Sequence, residues 1–187
     1  MRLCALRNCV FYILILLVLC FSFVSDGFCQ ETEIRQEYGL RFLRGVDCGE
    51  TPDLDYYAVH PTWGWFFYDH WGFELEGHIG RYRFESLDTT SLGLLGLFSY
   101  EFDPFRWGSL FLSAGGGILH LDKDKTPGLT DSTIMGLAQA GFGIKLALGK
   151  KSDILLEYRI QHVSDPADSS DAGLNTHCIV LGISFPF

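Results

Sequence analysis

The chain has 187 residues, a formal net charge of −9 and a hydrophobic share of 48%. So acidic a chain offers no electrostatic footprint for nucleic acid. Beyond the N-terminal segment there is no apolar run of the ~18 residues that a membrane-crossing helix needs, so the apolar content must be carried in another pattern.

The N-terminus opens with Arg2 and Arg7, continues as an apolar run from Val10 to Val24, and passes into Ser25, Asp26 and Gly27. A basic start, a short apolar core and small or turn-prone residues together predict a secretory signal peptide cut near Gly27 to Gln30. Residues 1–29 are then the leader and 30–187 a single domain. The core is short for a membrane anchor, which needs ~20 apolar residues. Large residues, Leu19 and Phe28, precede Cys20 and Cys29, which argues against a lipoprotein signal. Cys48 and Cys178 remain after cleavage, and an oxidising compartment would permit a disulfide between them. No CxxC or His/Cys cluster suggests zinc, and no metal or cofactor is expected.

From there on the hydrophobic period is two. Strands are predicted over 33–46, 54–68, 71–85, 90–102, 107–121, 133–148, 151–164 and 174–187. In the third, Trp71, Phe73, Leu75 and Ile79 alternate with Glu74, Glu76 and His78. In the sixth, Ile134, Phe142, Ile144, Leu146 and Leu148 alternate with Gln139, Gly141, Gly143 and Lys145. In the seventh, Ile154, Leu156, Tyr158 and Ile160 alternate with Asp153, Glu157, Arg159 and Gln161. The last carries Ile179, Leu181, Ile183, Phe185 and Phe187 on one face. No helical period competes with this alternation.

Eight strands in a domain of this size predict an all-β fold, an eight-stranded antiparallel up-and-down barrel. The polar face carries Glu37, Arg41, Glu74, Glu76, Lys145, Glu157 and Arg159. Those charges can pair in a narrow lumen, which leaves the apolar faces to lipid, as in an outer-membrane barrel. A soluble lipocalin-like carrier would need an apolar lumen instead.

With the N-terminus in the periplasm, the short turns near Asp69-His70, Asp103-Pro104 and Gly149-Lys150-Lys151 are periplasmic. The longer connections at 48–53, 122–131 and 165–173 then face outward. Trp63, Trp65, Phe67, Trp71, Phe105 and Trp107 gather beside the short turns as an aromatic girdle. The terminal Phe187 resembles the end of bacterial outer-membrane proteins.

The outward row of the seventh strand ends in His162 and Ser164, and that of the eighth begins with Asn175 and His177. These strands are antiparallel neighbours, so all four polar side chains share one outer patch where acyl chains meet headgroups. A serine needs a base to act as a nucleophile, and a histidine on the same face can supply it. The alternative is a polar rim that merely ends the apolar belt. His60, His70, His78 and His120 are read as structural or interfacial, with His120 close to the outer rim.

The segment Leu156-Glu157-Tyr158-Arg159-Ile160-Gln161-His162-Val163-Ser164, followed by Gly173-Leu174-Asn175-Thr176-His177, resembles the lipid A 3-O-deacylase (PagL-like, acyloxyacyl hydrolase) family. Leu112 to His120 resembles that family's glycine-rich strand more loosely. The resemblance implies an outer-membrane serine esterase that removes the 3-O-linked acyl chain of lipid A from lipopolysaccharide. Ser164 would be the nucleophile, His162 the general base and Asn175 the residue orienting the histidine, with Asp165 and His177 as supporting residues.

This chain has Asp165 where the family has asparagine and Asn175 where its best-known members have an acid. Asp165, Asp168 or Asp171 could lend the missing charge, although each is expected as a solvated loop residue. The competing reading is a non-catalytic structural or adhesive barrel of the same fold. The partners implied are lipopolysaccharide and the outer membrane, not nucleic acid, with a homo-oligomer left open.

Overall fold

The computed structural model describes residues 34–47, 54–67, 70–84, 87–105, 107–122, 133–149, 151–165 and 173–187. They form β1 (Arg35–Asp47), β2 (Asp55–Phe67), β3 (Trp71–Phe84), β4 (Leu87–Phe105), β5 (Gly108–Leu121), β6 (Ile134–Ala147), β7 (Asp153–Ser164) and β8 (Leu174–Pro186). Each pairs antiparallel with the next, and β8 returns to β1 to close the barrel. The last residue is fixed too, its Phe187 N–H donating to Gln36 O at 3.0 Å. Closure satisfies every edge strand, which a sheet in lipid requires.

The alternation read from the sequence sorts residues to the two faces. Phe42, Leu92, Leu94, Phe98, Leu112, Ile118, Phe142, Leu156 and Leu181 stand exposed on the outer wall. A water-soluble domain rarely exposes so continuous an apolar belt. At the end where β2, β4, β6 and β8 finish, aromatic rings stack: Phe105 on Trp107 with centroids 4.7 Å apart, Tyr38 on Phe185 at 5.2 Å and Trp63 on Trp65 at 6.0 Å. The opposite end, where β1, β3, β5 and β7 finish, is termed the outer end.

Inside, charges pair as the sequence implied. The fully buried Arg159 reaches Glu76 at 2.8 Å and Glu157 at 2.8 Å. Arg41 bonds both Glu74 and Glu76, and Lys145 bonds Glu37 at 3.0 Å and also Glu101. Gln139 and Ser113 supply further donors to Glu76 and Glu157.

A histidine chain continues this network. His60 Nδ1 lies 3.0 Å from Glu76 Oε2, His60 Nε2 lies 2.9 Å from His78 Nδ1, and His78 Nε2 lies 2.8 Å from Ser91 Oγ. One tautomer set satisfies every contact with both rings neutral. His60 donates to the carboxylate, His78 donates to His60, and Ser91 donates to His78. These two histidines are therefore structural.

The structure corrects three expectations. The lumen is not polar throughout: Leu43, Tyr56, Leu119, Leu121, Met135, Leu137, Val163 and Leu174 form a buried apolar plug toward the outer end. The expected Asp103-Pro104 turn lies within β4, which runs to Phe105. The register shifts between Phe102 and Phe105, and such an irregularity accommodates a proline that cannot donate to the ladder. Asp165 is buried rather than solvated. The expected leader, Cys48, Asp168 and Asp171 lie outside the described residues. Cys178 is buried, its Sγ 3.6 Å from Gln161 Oε1.

Candidate active site

Three strands, β6, β7 and β8, build the outer patch. His162 pairs directly with Asn175 across β7–β8, Ile160 with His177, and Ser164 with Gly136 across β6–β7. Because side chains alternate along β7, His162 and Ser164 face outward while Val163 between them faces inward. Val163 pairs with Leu174, and both are buried in the apolar plug immediately behind the patch. The site thus stands on a packed backing.

His162 Nδ1 and Asn175 Oδ1 are 2.9 Å apart. The amide oxygen can only accept, so Nδ1 carries the proton and Nε2 keeps its lone pair. Nε2 is then the atom available to a serine hydroxyl. Among the described residues no hydrogen bond joins His162 to Ser164, although the two share a face. Catalytic contacts in unliganded enzymes are often loose and close on substrate.

Two residues shape the site without having been singled out for it in the sequence. Gly173 has φ +67, a conformation that costs most L-residues, and a Cβ placed there would meet His162 Cε1 at 2.5 Å and Nε2 at 2.9 Å. The glycine backbone therefore lies against the ring edge, and the missing side chain leaves the imidazole the space it occupies. Tyr158, read from the sequence as one more member of an apolar row, hydrogen-bonds through its hydroxyl to His177 Nδ1. His177 is thereby engaged down the wall with Tyr158 rather than with His162. A period of two signals a tyrosine's face, but not which neighbour its hydroxyl meets.

His120 lies exposed on the outer wall near the end of β5, in register with Ile134. Among the described residues no group of three or more His, Cys, Asp or Glu side chains is arranged to hold a metal ion.

The class defined by fold and wall is a bacterial outer-membrane β-barrel of eight strands, with a histidine–serine patch at the outer end of its lipid-facing surface. The model of the lipid A 3-O-deacylase (PagL) family matches residues 53–184, and the chain belongs to that family. The crystal structure of the outer membrane enzyme PagL superposes with a TM-score of 0.58 at 18% identity, covering 77% of this chain and 97% of that one. Outer membrane protein H (OprH) from P. aeruginosa gives 0.58 at 15% identity, covering 83% of this chain and 100% of that one. Neisserial surface protein A gives 0.56 at 12%, covering 84% and 100%. At such identities these structures show the fold alone. No curated protein sequence matches the chain.

Proposed function

We propose that the protein is a serine esterase that hydrolyses the 3-O-linked acyl chain of lipid A in the outer leaflet. Residues 1–29 act as the cleaved leader that sends it to the outer membrane. The observation that carries this reading is the His162 Nδ1–Asn175 Oδ1 contact of 2.9 Å. It sets the tautomer a general base requires and lies on the same wall as Ser164. A non-catalytic rim has no need of a fixed tautomer.

In this mechanism Ser164 Oγ attacks the ester carbonyl as its proton passes to His162 Nε2. The tetrahedral intermediate collapses, the bond from the acyl carbon to the sugar oxygen breaks, and His162 returns the proton to that oxygen. Water then attacks the acyl-enzyme, giving its proton to His162. The acyl carbon–Oγ bond then breaks, His162 passes that proton to Ser164 Oγ, and the fatty acid is released with the Ser164 hydroxyl restored. The substrate reaches the patch sideways through the bilayer, so the plugged lumen is no obstacle.

The test is expression in the outer membrane of a bacterium with fully acylated lipid A, read by mass spectrometry. Loss of one hydroxyacyl chain that vanishes with Ser164→Ala and with His162→Ala is expected. Residues acting as one unit are strongly non-additive, so the double variant should be no worse than either single one. An unchanged lipid A spectrum with a heat-modifiable, folded barrel would sink the reading in favour of a structural barrel.

A further inference from the structure

One polar pair on the lipid-facing wall takes no part in the Ser164–His162 chemistry. Tyr158 on β7 and His177 on β8 are joined by a hydrogen bond between the Tyr158 hydroxyl and His177 Nδ1. Their ring centroids are 5.7 Å apart, and the Tyr158 ring packs against Phe142 at 5.5 Å.

The ladder fixes where this pair stands. His162 is the direct partner of Asn175, Ile160 of His177 and Tyr158 of Ile179. His177 is therefore the diagonal neighbour of both His162 and Tyr158, about 7–8 Å from each between backbones. The polar side chains of this seam descend from His162 and Asn175 at the rim through His177 to Tyr158. Below them lies the apolar, exposed pair Leu156–Leu181.

Hydrocarbon offers such a pair no hydrogen bonds, so its donors and acceptors must be met by the protein or by a polar atom of the lipid. The Tyr158 contact uses Nδ1. Among the described residues nothing hydrogen-bonds the other ring nitrogen, Nε2. If the tyrosine donates to Nδ1, Nε2 carries a hydrogen and is a donor. If Nδ1 donates to the tyrosine, Nε2 is an acceptor. A carbonyl oxygen can meet only the first arrangement. A hydroxyl, at once donor and acceptor, meets either.

Depth selects where that hydroxyl sits. The reacting ester lies between Ser164 and His162, about 10 Å along the strand above the Ile160–His177 pair. The reach of an imidazole and a hydrogen bond of ~3 Å cover most of that span, which leaves room for only a few carbons of an acyl chain running down the wall. Resting on the esterase reading, we infer that His177, held by Tyr158, is a specificity-determining residue whose Nε2 hydrogen-bonds a hydroxyl carried by the departing acyl chain close to the scissile ester. A chain without that hydroxyl leaves Nε2 unmet in hydrocarbon. A site built to bond a hydroxyl rejects the analogue lacking it for this reason.

The test uses the full-length protein in detergent micelles and two synthetic glucosamine glycolipids. One carries a 3-hydroxymyristoyl ester at O3 and the other a plain myristoyl ester there. The parent kcat/KM should favour the hydroxylated ester about tenfold, the effect of one hydrogen bond made in an apolar setting. His177→Phe keeps a ring and removes both nitrogens, and the ratio should fall to about one. Tyr158→Phe frees the imidazole and should lower the ratio in part. His177→Gln, which keeps a donor and an acceptor, should retain part of the preference. Heat-modifiable migration verifies that each variant is folded.

A parent ratio near one, or a ratio that His177→Phe leaves unchanged, would overturn the inference, while Ser164-dependent hydrolysis of either glycolipid leaves the esterase standing. Binding of both glycolipids to the folded parent decides the case in which neither is hydrolysed. Tighter binding of the hydroxylated lipid that is lost in His177→Phe keeps the hydroxyl site and removes the esterase. Equal binding of the two lipids removes both.

Discussion

His162 and Asn175 face each other as direct partners across β7–β8, with Nδ1 2.9 Å from Oδ1. In the proposed mechanism the amide fixes the tautomer but brings no charge to the imidazolium that would form as Ser164 gives up its proton. Asn175→Asp keeps the shape and adds that charge. At a patch open to headgroups and water, an added carboxylate at this range is worth about 1 kcal/mol, or about fivefold in rate. The turnover number should rise by that factor. Asn175→Leu removes the orienting acceptor and should lower it about a hundredfold. Single-turnover deacylation in detergent micelles measures both, and a rate unaffected by either change would remove Asn175 from the site.

Gly173 and Gly149 make a matched pair. Both have positive φ, +67 and +128, yet a Cβ on Gly149 would meet nothing within 4 Å while one on Gly173 would strike the His162 ring. Alanine at either position strains the backbone by about 1–2 kcal/mol. Only Gly173→Ala should also displace the base, lowering turnover at least tenfold with little change in the Michaelis constant. Gly149→Ala should leave activity as it is. Equal activities of the two variants would show that the glycine does not position the ring.

Arg159 is fully buried in the lumen and bonds both Glu76 and Glu157. Arg159→Met leaves Glu157 without its cation and Glu76 with Arg41 alone. Breaking a buried pair in this way costs about 3–5 kcal/mol. Glu76→Gln keeps the hydrogen-bonding shape and should cost less. Urea unfolding in detergent, followed by loss of heat-modifiable migration, should rank the variants in that order.

These predictions rest on features of unequal legibility in the sequence. The eight strands were visible because lipid outside and a polar lumen inside impose strict alternation, and strand ends mostly fall within two residues of those expected. β4 departs furthest, since a register shift lets the chain run on through Asp103 and Pro104, and a proline reads locally as a turn. The outer patch was visible because His162, Ser164, Asn175 and His177 extend two outward rows.

The apolar plug was not visible, because Leu43, Met135 and Val163 lie on faces that were read for their charges. Nor were the ring contact of Gly173 and the Tyr158–His177 hydrogen bond. Those depend on side-chain direction and on a backbone dihedral, which period-two patterning does not encode.

The outer wall itself can be tested by depth. Leu94 is exposed midway along β4, and His120 is exposed near the outer end of β5. An arginine at the lipid-facing middle of a transmembrane barrel costs about 2–4 kcal/mol, and one near the interface about 0–1 kcal/mol. Leu94→Arg should therefore lower folding stability in lipid vesicles by several times more than His120→Arg. In a soluble barrel both positions would meet water, and the two arginines would be nearly equivalent. Reversible unfolding in vesicles of defined thickness measures the difference. Equal costs would mean that this wall does not contact hydrocarbon, and a patch at its rim could not then receive its substrate from within the bilayer.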